Sequence, residues 1–368
     1  MQIVVTGADG FIGKNLRIRL AELGYADVIC INRNTGMPAQ NAALAGADFV
    51  FHLAGVNRPV DPLEFAIGNA DYTASVCAKL AAAGRRASVV LASSTQAELS
   101  NPYGASKHAA EEALQNYAST TGAPIYVFRL TNVFGKWARP NYNSAVATFC
   151  QNITRGQAIK VNDPAASLNL VYVDDVVESF VRLLADNKVA TGFVEAGPIY
   201  ATTVGEVVAA LNGFSESRVS MVSPRVGSGL VRALYSTYIS YLPPELFAYE
   251  VPRHGDSRGV FVEMLKTPDC GQFSYFTAHP GITRGDHYHH SKTEKFLVLK
   301  GTARFGFRHV TTGETFELTT RGGEARIVET VPGWTHNITN VGDEEMIVML
   351  WANEIFDRAR PDTIACKV

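Results

Sequence analysis

Up to about position 135 the chain alternates two hydrophobic patterns. Short runs rich in β-branched and aromatic residues (2–7, 27–33, 48–55, 88–94 and 124–135) are separated by longer stretches whose apolar residues recur every three to four positions. These stretches run from Phe11 to Leu23, through Lys79, and from Ala105 to Ala118. A period near two marks strands and a period near 3.6 marks helices. Strands alternating with helices predict a parallel sheet covered on both faces, a Rossmann-like doubly wound α/β domain. From about 140 to 242, strand-like pieces (158–162 and 169–175) mix with helical ones (176–185 and 204–212), the pattern expected of a small substrate lobe on that sheet.

The pattern changes at Leu242-Pro243-Pro244, where two prolines interrupt a helical stretch and mark a linker. Beyond it come short apolar runs (259–265, 271–279, 294–301, 302–310, 324–331 and 344–353) punctuated by Gly, Pro, Asp and Asn. That spacing predicts an all-β jelly roll. Two domains are therefore expected, 1–243 and 244–368.

A chain of 368 residues, 46% hydrophobic and 18% charged, supports two cores and leaves no room for a large disordered fraction. A net charge of -2 argues against a nucleic-acid surface. There is no basic segment followed by an apolar stretch at the start and no run of 18 apolar residues, so neither secretion nor a membrane is expected. Five cysteines, far apart and without a C-x-x-C pair, read as reduced thiols in a cytoplasmic protein.

Gly7, Gly10 and Gly13 have the spacing G-x-x-G-x-x-G between the first strand and the first helix, with Phe11 and Ile12 opening that helix. Glycines let the backbone approach a pyrophosphate, and the helix start favours its charge. The second strand ends at Asn32-Arg33, where an NAD-specific fold places an acidic residue on the ribose 2′-hydroxyl. Arg33 suits a 2′-phosphate instead, which favours NADPH, with acceptance of both cofactors as the alternative. Tyr103 and Lys107 form Y-x-x-x-K on one helical face, and Ser94 ends the preceding strand with Thr95 beside it. A phenol beside an ammonium has its pKa lowered and can hand a proton to a carbonyl oxygen as hydride reaches the carbon.

With these motifs the chain resembles the extended short-chain dehydrogenase/reductase family, whose members act on nucleotide sugars. The resemblance also covers His52-Leu53-Ala54-Gly55, Pro102 to Lys107, Arg129 to Gly135, and Tyr172-Val173-Asp174-Asp175. It implies that Leu53, Ala54 and Gly55 line the dinucleotide, that Ser94, Tyr103 and Lys107 are catalytic, and that Asn132 contacts a UDP-sugar. His52 reads as a core histidine.

In the C-terminal half, Gly281, His287, His289, Glu294 and Gly301 match G-x5-H-x-H-x4-E-x6-G, and Gly333, His336 and Asn340 match G-x-x-H-x-x-x-N. Histidines two apart on a strand share a face, and Glu294 returns on the next strand. Three imidazoles and a carboxylate suit Zn²⁺, and also Ni, Fe or Mn. These are the two motifs of the cupins, which the segment resembles. Asp256-Ser257-Arg258-Gly259 and Arg284 to His287 are similar to stretches of the deoxysugar 3,5-epimerase cupins, which implies that Asp256 and Arg258 touch a keto-sugar.

As a whole the chain is similar to bifunctional epimerase/reductases that make nucleotide-sugar precursors of surface polysaccharide. The resemblance implies C3 epimerisation of a UDP-4-keto-6-deoxy-N-acetylhexosamine in the cupin, then NADPH-dependent C4 reduction, in a homodimer. The C3 proton is labile only beside a C4 ketone, so epimerisation must come first. Tyr288, Lys292, Lys295 and His254 are candidates for the acid and base at C3. Two other readings are a reductase whose cupin only binds sugar or drives dimerisation, and a non-enzymatic sensor of NADPH and sugar nucleotide.

Overall fold

The computed structural model describes residues 1–185, 190–251, 253–256, 259–262, 271–354 and 359–368; for 253–256, 259–262 and 272–274 the backbone alone is described. The chain forms two compact units, one of Met1–Ser144 with Leu168–Ala201, the other of Ala145–Ser167 with Thr202–Val368. The helical stretches 145–154, 204–220 and 229–240 therefore belong to the same unit as the C-terminal strands.

The first unit is built on a sheet in the order β2-β1-β3-β4-β5-β8, with β1 (Ile3–Thr6), β2 (Val28–Ile31), β3 (Phe49–His52), β4 (Ser88–Ser94), β5 (Ile125–Leu130) and β8 (Gly192–Phe193). Every pairing is parallel, and Val4, Val50, Leu91 and Val127 from its middle are at most 2% exposed. A Rossmann-like parallel sheet is thus observed where the alternating pattern placed it. The strand order reverses between β1 and β3, the place where doubly wound sheets bind ligands. Helices α1 (Phe11–Glu22), α2 (Met37–Gly46), α3 (Leu63–Phe65), α4 (Tyr72–Ala82), α5 (Pro102–Thr121) and α7 (Val173–Ala185) belong to this unit, and a π-helical segment, Ala66–Asp71, joins α3 to α4. A second, smaller sheet joins β6 (Asn132–Phe134), β7 (Ser167–Tyr172) and β9 (Ile199–Thr203).

Helix α5 begins three residues before the expected Ala105. The Asn101 side chain accepts the Gly104 N–H at 2.8 Å, and Pro102 occupies the first helical position, where its missing N–H costs nothing. Tyr103 is thereby drawn into the first helical turn.

In the second unit, α6 (Ala145–Thr154), α8 (Val204–Ser220) and α9 (Gly229–Ser240) accompany two five-stranded sheets. One has the order β10-β18-β15-β20-β13, from Ala248–Glu250, Arg326–Glu329, Glu294–Lys300, Met346–Ala352 and Gln272–Ala278. The other has the order β17-β16-β19-β14-β21, from Thr315–Arg321, Thr302–His309, Trp334–Asn340, Thr283–Tyr288 and Ile364–Ala365. All these pairings are antiparallel. Phe296 of the first sheet meets Phe305 of the second at 5.7 Å between ring centroids, so the two sheets share an apolar interior. A separate hairpin pairs β11 (Arg253–Asp256) with β12 (Gly259–Val262).

The stretch 158–162, expected to be a strand, is not one. Its start is tied to the end of α6, with the Gln157 N–H on the Asn152 carbonyl at 2.8 Å and Asn152 Nδ2 on the Ala158 carbonyl at 3.3 Å. Among the described residues no helix is long and apolar enough to cross a membrane.

Candidate active site and metal centre

The glycine loop is closed by contacts that only glycine permits. Gly7 has φ +65°, and a Cβ there would lie 2.6 Å from the Ala54 nitrogen; one on Gly13 would lie 2.3 Å from the Gly7 carbonyl oxygen. Leu53, Ala54 and Gly55 run beside this loop, the Leu53 N–H donating to the Thr6 carbonyl at 3.2 Å and the Ala54 N–H to the Thr6 hydroxyl at 3.3 Å. Gly10 caps α1 without any side-chain hydrogen bond, which leaves the helix start to an incoming anion, with Phe11 and Ile12 half-buried behind it. At the end of β2, Asn32 donates to Asp9 at 2.8 Å, while Arg17 holds the same carboxylate at 2.8 Å. Arg33 is exposed beside them. These residues fit a dinucleotide: a helix N-terminus for the pyrophosphate and a cation where the ribose ends.

Ser94, Tyr103 and Lys107 come together at the end of β4. The Ser94 hydroxyl is near enough to the Tyr103 phenol to pull its pKa down, and it accepts the Gln96 N–H at 3.2 Å. Lys107, one turn along α5 from Tyr103, donates from Nζ to the Ala92 carbonyl at 3.0 Å and lies 6.0 Å from the tyrosine ring centroid. Burial lowers the Lys107 ammonium to about 8, with the Glu111 charge opposing the fall. Burial also raises the Tyr103 phenol, with Ser94 pulling the other way. The expected lowering of the tyrosine by its lysine is therefore not seen in the chain by itself. At this separation the cost of burying a phenolate outweighs the pull of a distant ammonium.

Behind these residues is a buried network that the sequence reading missed. Glu111, the next turn of α5 and 1% exposed, receives the Ser93 hydroxyl at 2.5 Å and a two-pronged contact from Arg129, at 3.0 Å from Nε and 2.7 Å from Nη2. Asn69, in the π-helical segment, clasps both backbone polar groups of Val56 and donates to the Ser106 hydroxyl at 2.9 Å. The i, i+4 spacing of Lys107 and Glu111 was a usable signal for the first. For Asn69 the sequence held none. His52 is 1% exposed, with Thr6 and Thr73 hydroxyls on its two nitrogens at 2.7 and 2.9 Å, and burial lowers it to about 3. It is a satisfied core histidine. Asn132 is exposed on β6, its amide on the Asn169 carbonyl at 3.3 Å.

In the second unit His287, His289, Glu294 and His336 converge, one donor atom from each lying within 4.8 Å of all the others. His287 is near the end of β14, His289 just past it, Glu294 opens β15, and His336 is in β19, paired with His287 across the ladder. A bulge at Asp286, φ +57°, interrupts that ladder between Gly285 and His287. Glu294 Oε2 lies 3.2 Å from His289 Nε2 and 3.6 Å from His336 Nε2. Burial alone would raise Glu294, but the His289 and His336 imidazoles beside it hold it well below the usual carboxylate range. Burial, then the neighbouring imidazoles, lowers His287 to about 4. His336 is 5% exposed and, among the described residues, neither ring nitrogen has a hydrogen-bond partner. A buried imidazole left so, facing a carboxylate and two more imidazoles, fits a divalent metal ion.

Of the candidates for acid and base, Lys292 stands at this cluster, Nζ 3.4 Å from Glu294 Oε1. Lys295 does not: it follows Glu294 on the strand, points to the other face, and is buried against Glu329 at 2.5 Å and the Tyr249 hydroxyl at 2.9 Å. The Tyr288 ring packs edge-on against His290 at 5.5 Å. The side chains of His254 and Asp256, and Arg258 altogether, lie outside the described residues.

Family models match both halves of the chain. Residues 3–194 match the model of the NAD dependent epimerase/dehydratase family, and residues 254–364 that of the polysaccharide biosynthesis C-terminal domain. The chain is 56% identical over its whole length to a UDP-2-acetamido-2,6-beta-L-arabino-hexul-4-ose reductase of Pseudomonas aeruginosa, covering 99% of it. It is 30% identical over 232 residues, 50% of this chain and 72% of the other, to a UDP-glucose 4-epimerase of Mycolicibacterium smegmatis. Among solved structures, the capsular polysaccharide assembling protein CapF from Staphylococcus aureus is 41% identical and superposes with a TM-score of 0.69, each chain covered in full. The chain belongs to the NAD dependent epimerase/dehydratase family, in a form that ends in a polysaccharide biosynthesis C-terminal domain.

Proposed function

We propose that the protein is a bifunctional enzyme of surface-polysaccharide precursor synthesis: its antiparallel unit, a cupin, inverts C3 of a UDP-4-keto-6-deoxy-N-acetylhexosamine, and its parallel-sheet unit reduces C4. The product is a UDP-2-acetamido-2,6-dideoxy-L-talose type sugar, a precursor of L-fucosamine. The observation that carries this reading is the presence on one chain of Ser94, Tyr103 and Lys107 beside a glycine cradle and of a four-donor cluster in a second unit.

Gly7, Gly10, Gly13, Ala54 and Gly55 would hold NADPH, which would supply a hydride. Arg33, exposed where the ribose 2′-phosphate would lie, is the reason for preferring it to NADH. Ser94 holds the C4 carbonyl oxygen and Tyr103 gives it a proton from its hydroxyl; the Lys107 ammonium supports the developing phenolate. Asn132 is assigned to the sugar nucleotide, as are Asp256 and Arg258 in the other unit. His287, His289, Glu294 and His336 would hold Zn²⁺ or another divalent ion, which supplies Lewis acidity toward a carbonyl oxygen. Domain limits of 1–243 and 244–368, a homodimer and a cytoplasmic location complete the proposal.

The test is to supply the keto-sugar with NADPH and determine the product by NMR. Inversion at C3 together with an alcohol at C4 is expected; an alcohol at C4 with C3 retained contradicts the epimerase half. That second outcome matches a plain reductase with a sugar-binding cupin, a reading favoured by the name of the Pseudomonas relative, a reductase alone. It also predicts that chelating the metal leaves the product unchanged.

A further inference from the structure

Residues 359–368 reach two of the four proposed metal ligands directly, His287 and His289, and a third, Glu294, through Lys292. Asp362 is the centre of these contacts. Its carboxylate accepts three consecutive backbone N–H groups, from His290 on Oδ1 at 2.8 Å and from Ser291 and Lys292 on Oδ2 at 2.7 Å each, together with the Ser291 hydroxyl at 3.0 Å. Its main-chain carbonyl meets Nδ1 of His289. A carbonyl can only accept, so Nδ1 carries the proton and the Nε2 lone pair is left to face Glu294.

The residues that follow continue the pattern. The Thr363 hydroxyl takes the Lys292 ammonium at 3.2 Å, and that same ammonium lies 3.4 Å from Glu294 Oε1. Ile364 and Ala365 pair with Tyr288 and His287, and the Cys366 N–H donates to the Asp286 carbonyl at 2.8 Å. None of residues 359–368 is fully buried, so the segment contributes little to the apolar core. Most of its described contacts are directed to the strands and loop that carry the ligands, the Thr335 hydroxyl beside His336 donating to the Cys366 carbonyl; Arg308 of β16, which donates to the Lys367 carbonyl, lies apart from them.

We infer that Asp362 is a positioning residue of the metal centre. It fixes the protonated nitrogen of His289 and the course of the 290–292 loop, so that His289 and Glu294 are set before an ion arrives. This rests on the reading of the four-donor cluster as a metal site. Groups that orient metal-bound histidines from behind are worth roughly 10–100-fold in affinity when removed.

The experiment uses full-length D362A, D362N and S291A, loaded with Zn²⁺ in competition with a chromophoric chelator and, separately, with Co²⁺ for its visible ligand-field spectrum. D362A and D362N are expected to bind Zn²⁺ roughly 10–100-fold more weakly and to change the Co²⁺ spectrum, with the chelated proteins melting where chelated wild type does. S291A, which leaves the carbonyl on His289 in place, keeps wild-type affinity and spectrum. Wild-type affinity in D362A or D362N overturns the inference. So does an affinity loss matched by an equal loss of stability in the chelated protein, or failure of both variants to fold, since Asp362 would then be a fold anchor. Wild type that binds no metal defeats the metal reading itself, a result distinct from each of these.

Discussion

Replacing Glu111 by glutamine keeps the shape of the buried network behind Tyr103 and Lys107 and removes its charge. The Glu111 side chain is 2% exposed and that of Arg129 is 25% exposed. Breaking a buried ion pair by removing one partner costs about 3–5 kcal/mol. Arg129 is partly solvated and keeps Glu98 at 2.6 Å, which places the loss near the lower end, about 3 kcal/mol. For a unit of this size that corresponds to a fall in Tm of roughly 6–12 °C. A second effect is independent of the first. Burial brings the Lys107 ammonium down to about 8 and the Glu111 charge holds it up, so E111Q lowers it further. Reduction should decline as pH rises through about 8 in wild type, and the decline should begin at lower pH in E111Q. The stability contribution of Lys107 has the opposite sign. Its folded pKa lies below the ordinary 10.5, so between about 8 and 10.5 the unfolded chain binds more protons and stability rises with pH. Thermal melts and pH profiles of kcat/KM measure the two effects separately. A variant with wild-type Tm and an unmoved alkaline limb would refute the reasoning.

Tyr103→Phe removes the proton donor and should lower the reduction rate by about 10²–10⁴-fold while NADPH binding is retained, measured by steady-state kinetics beside fluorescence titration. Arg33→Ala should weaken NADPH by roughly 10-fold or more, from the loss of a charged hydrogen bond, and leave NADH unchanged; equal effects on both would remove the 2′-phosphate assignment. Chelation or His336→Ala should abolish metal retention, and at a free ion concentration a thousand times the Kd the wild type should lose about 4 kcal/mol of stabilisation on chelation, read as a shift in melting.

The parts of the molecule legible in the sequence are those whose chemistry is local. The glycine loop, Tyr103 with Lys107, and His287, His289 and Glu294 are each fixed by spacing within one or two elements, and the structure brings each set together. Groups contributed from a distance were not legible. Asn69 depends on a π-helical turn, Arg129 reaches Glu111 across neighbouring elements, and Asp362 lies 70 residues or more from the N–H groups it receives. One error could have been avoided. Lys295 is adjacent to Glu294 on a strand, and alternation alone puts it on the opposite face. Another had a structural cause: the strand pattern at 158–162 has no strand partner among the described residues.

The order of the two reactions is the centre of the account, because the C3 proton is labile only while C4 remains a ketone. Incubating the metal-loaded protein with the UDP-4-keto-6-deoxy sugar in D₂O without NADPH, and reading C3 by NMR, tests it most directly. Deuterium should enter C3 in wild type and in Tyr103→Phe, and not in His336→Ala. A wild-type protein that exchanges no deuterium at C3 contradicts it.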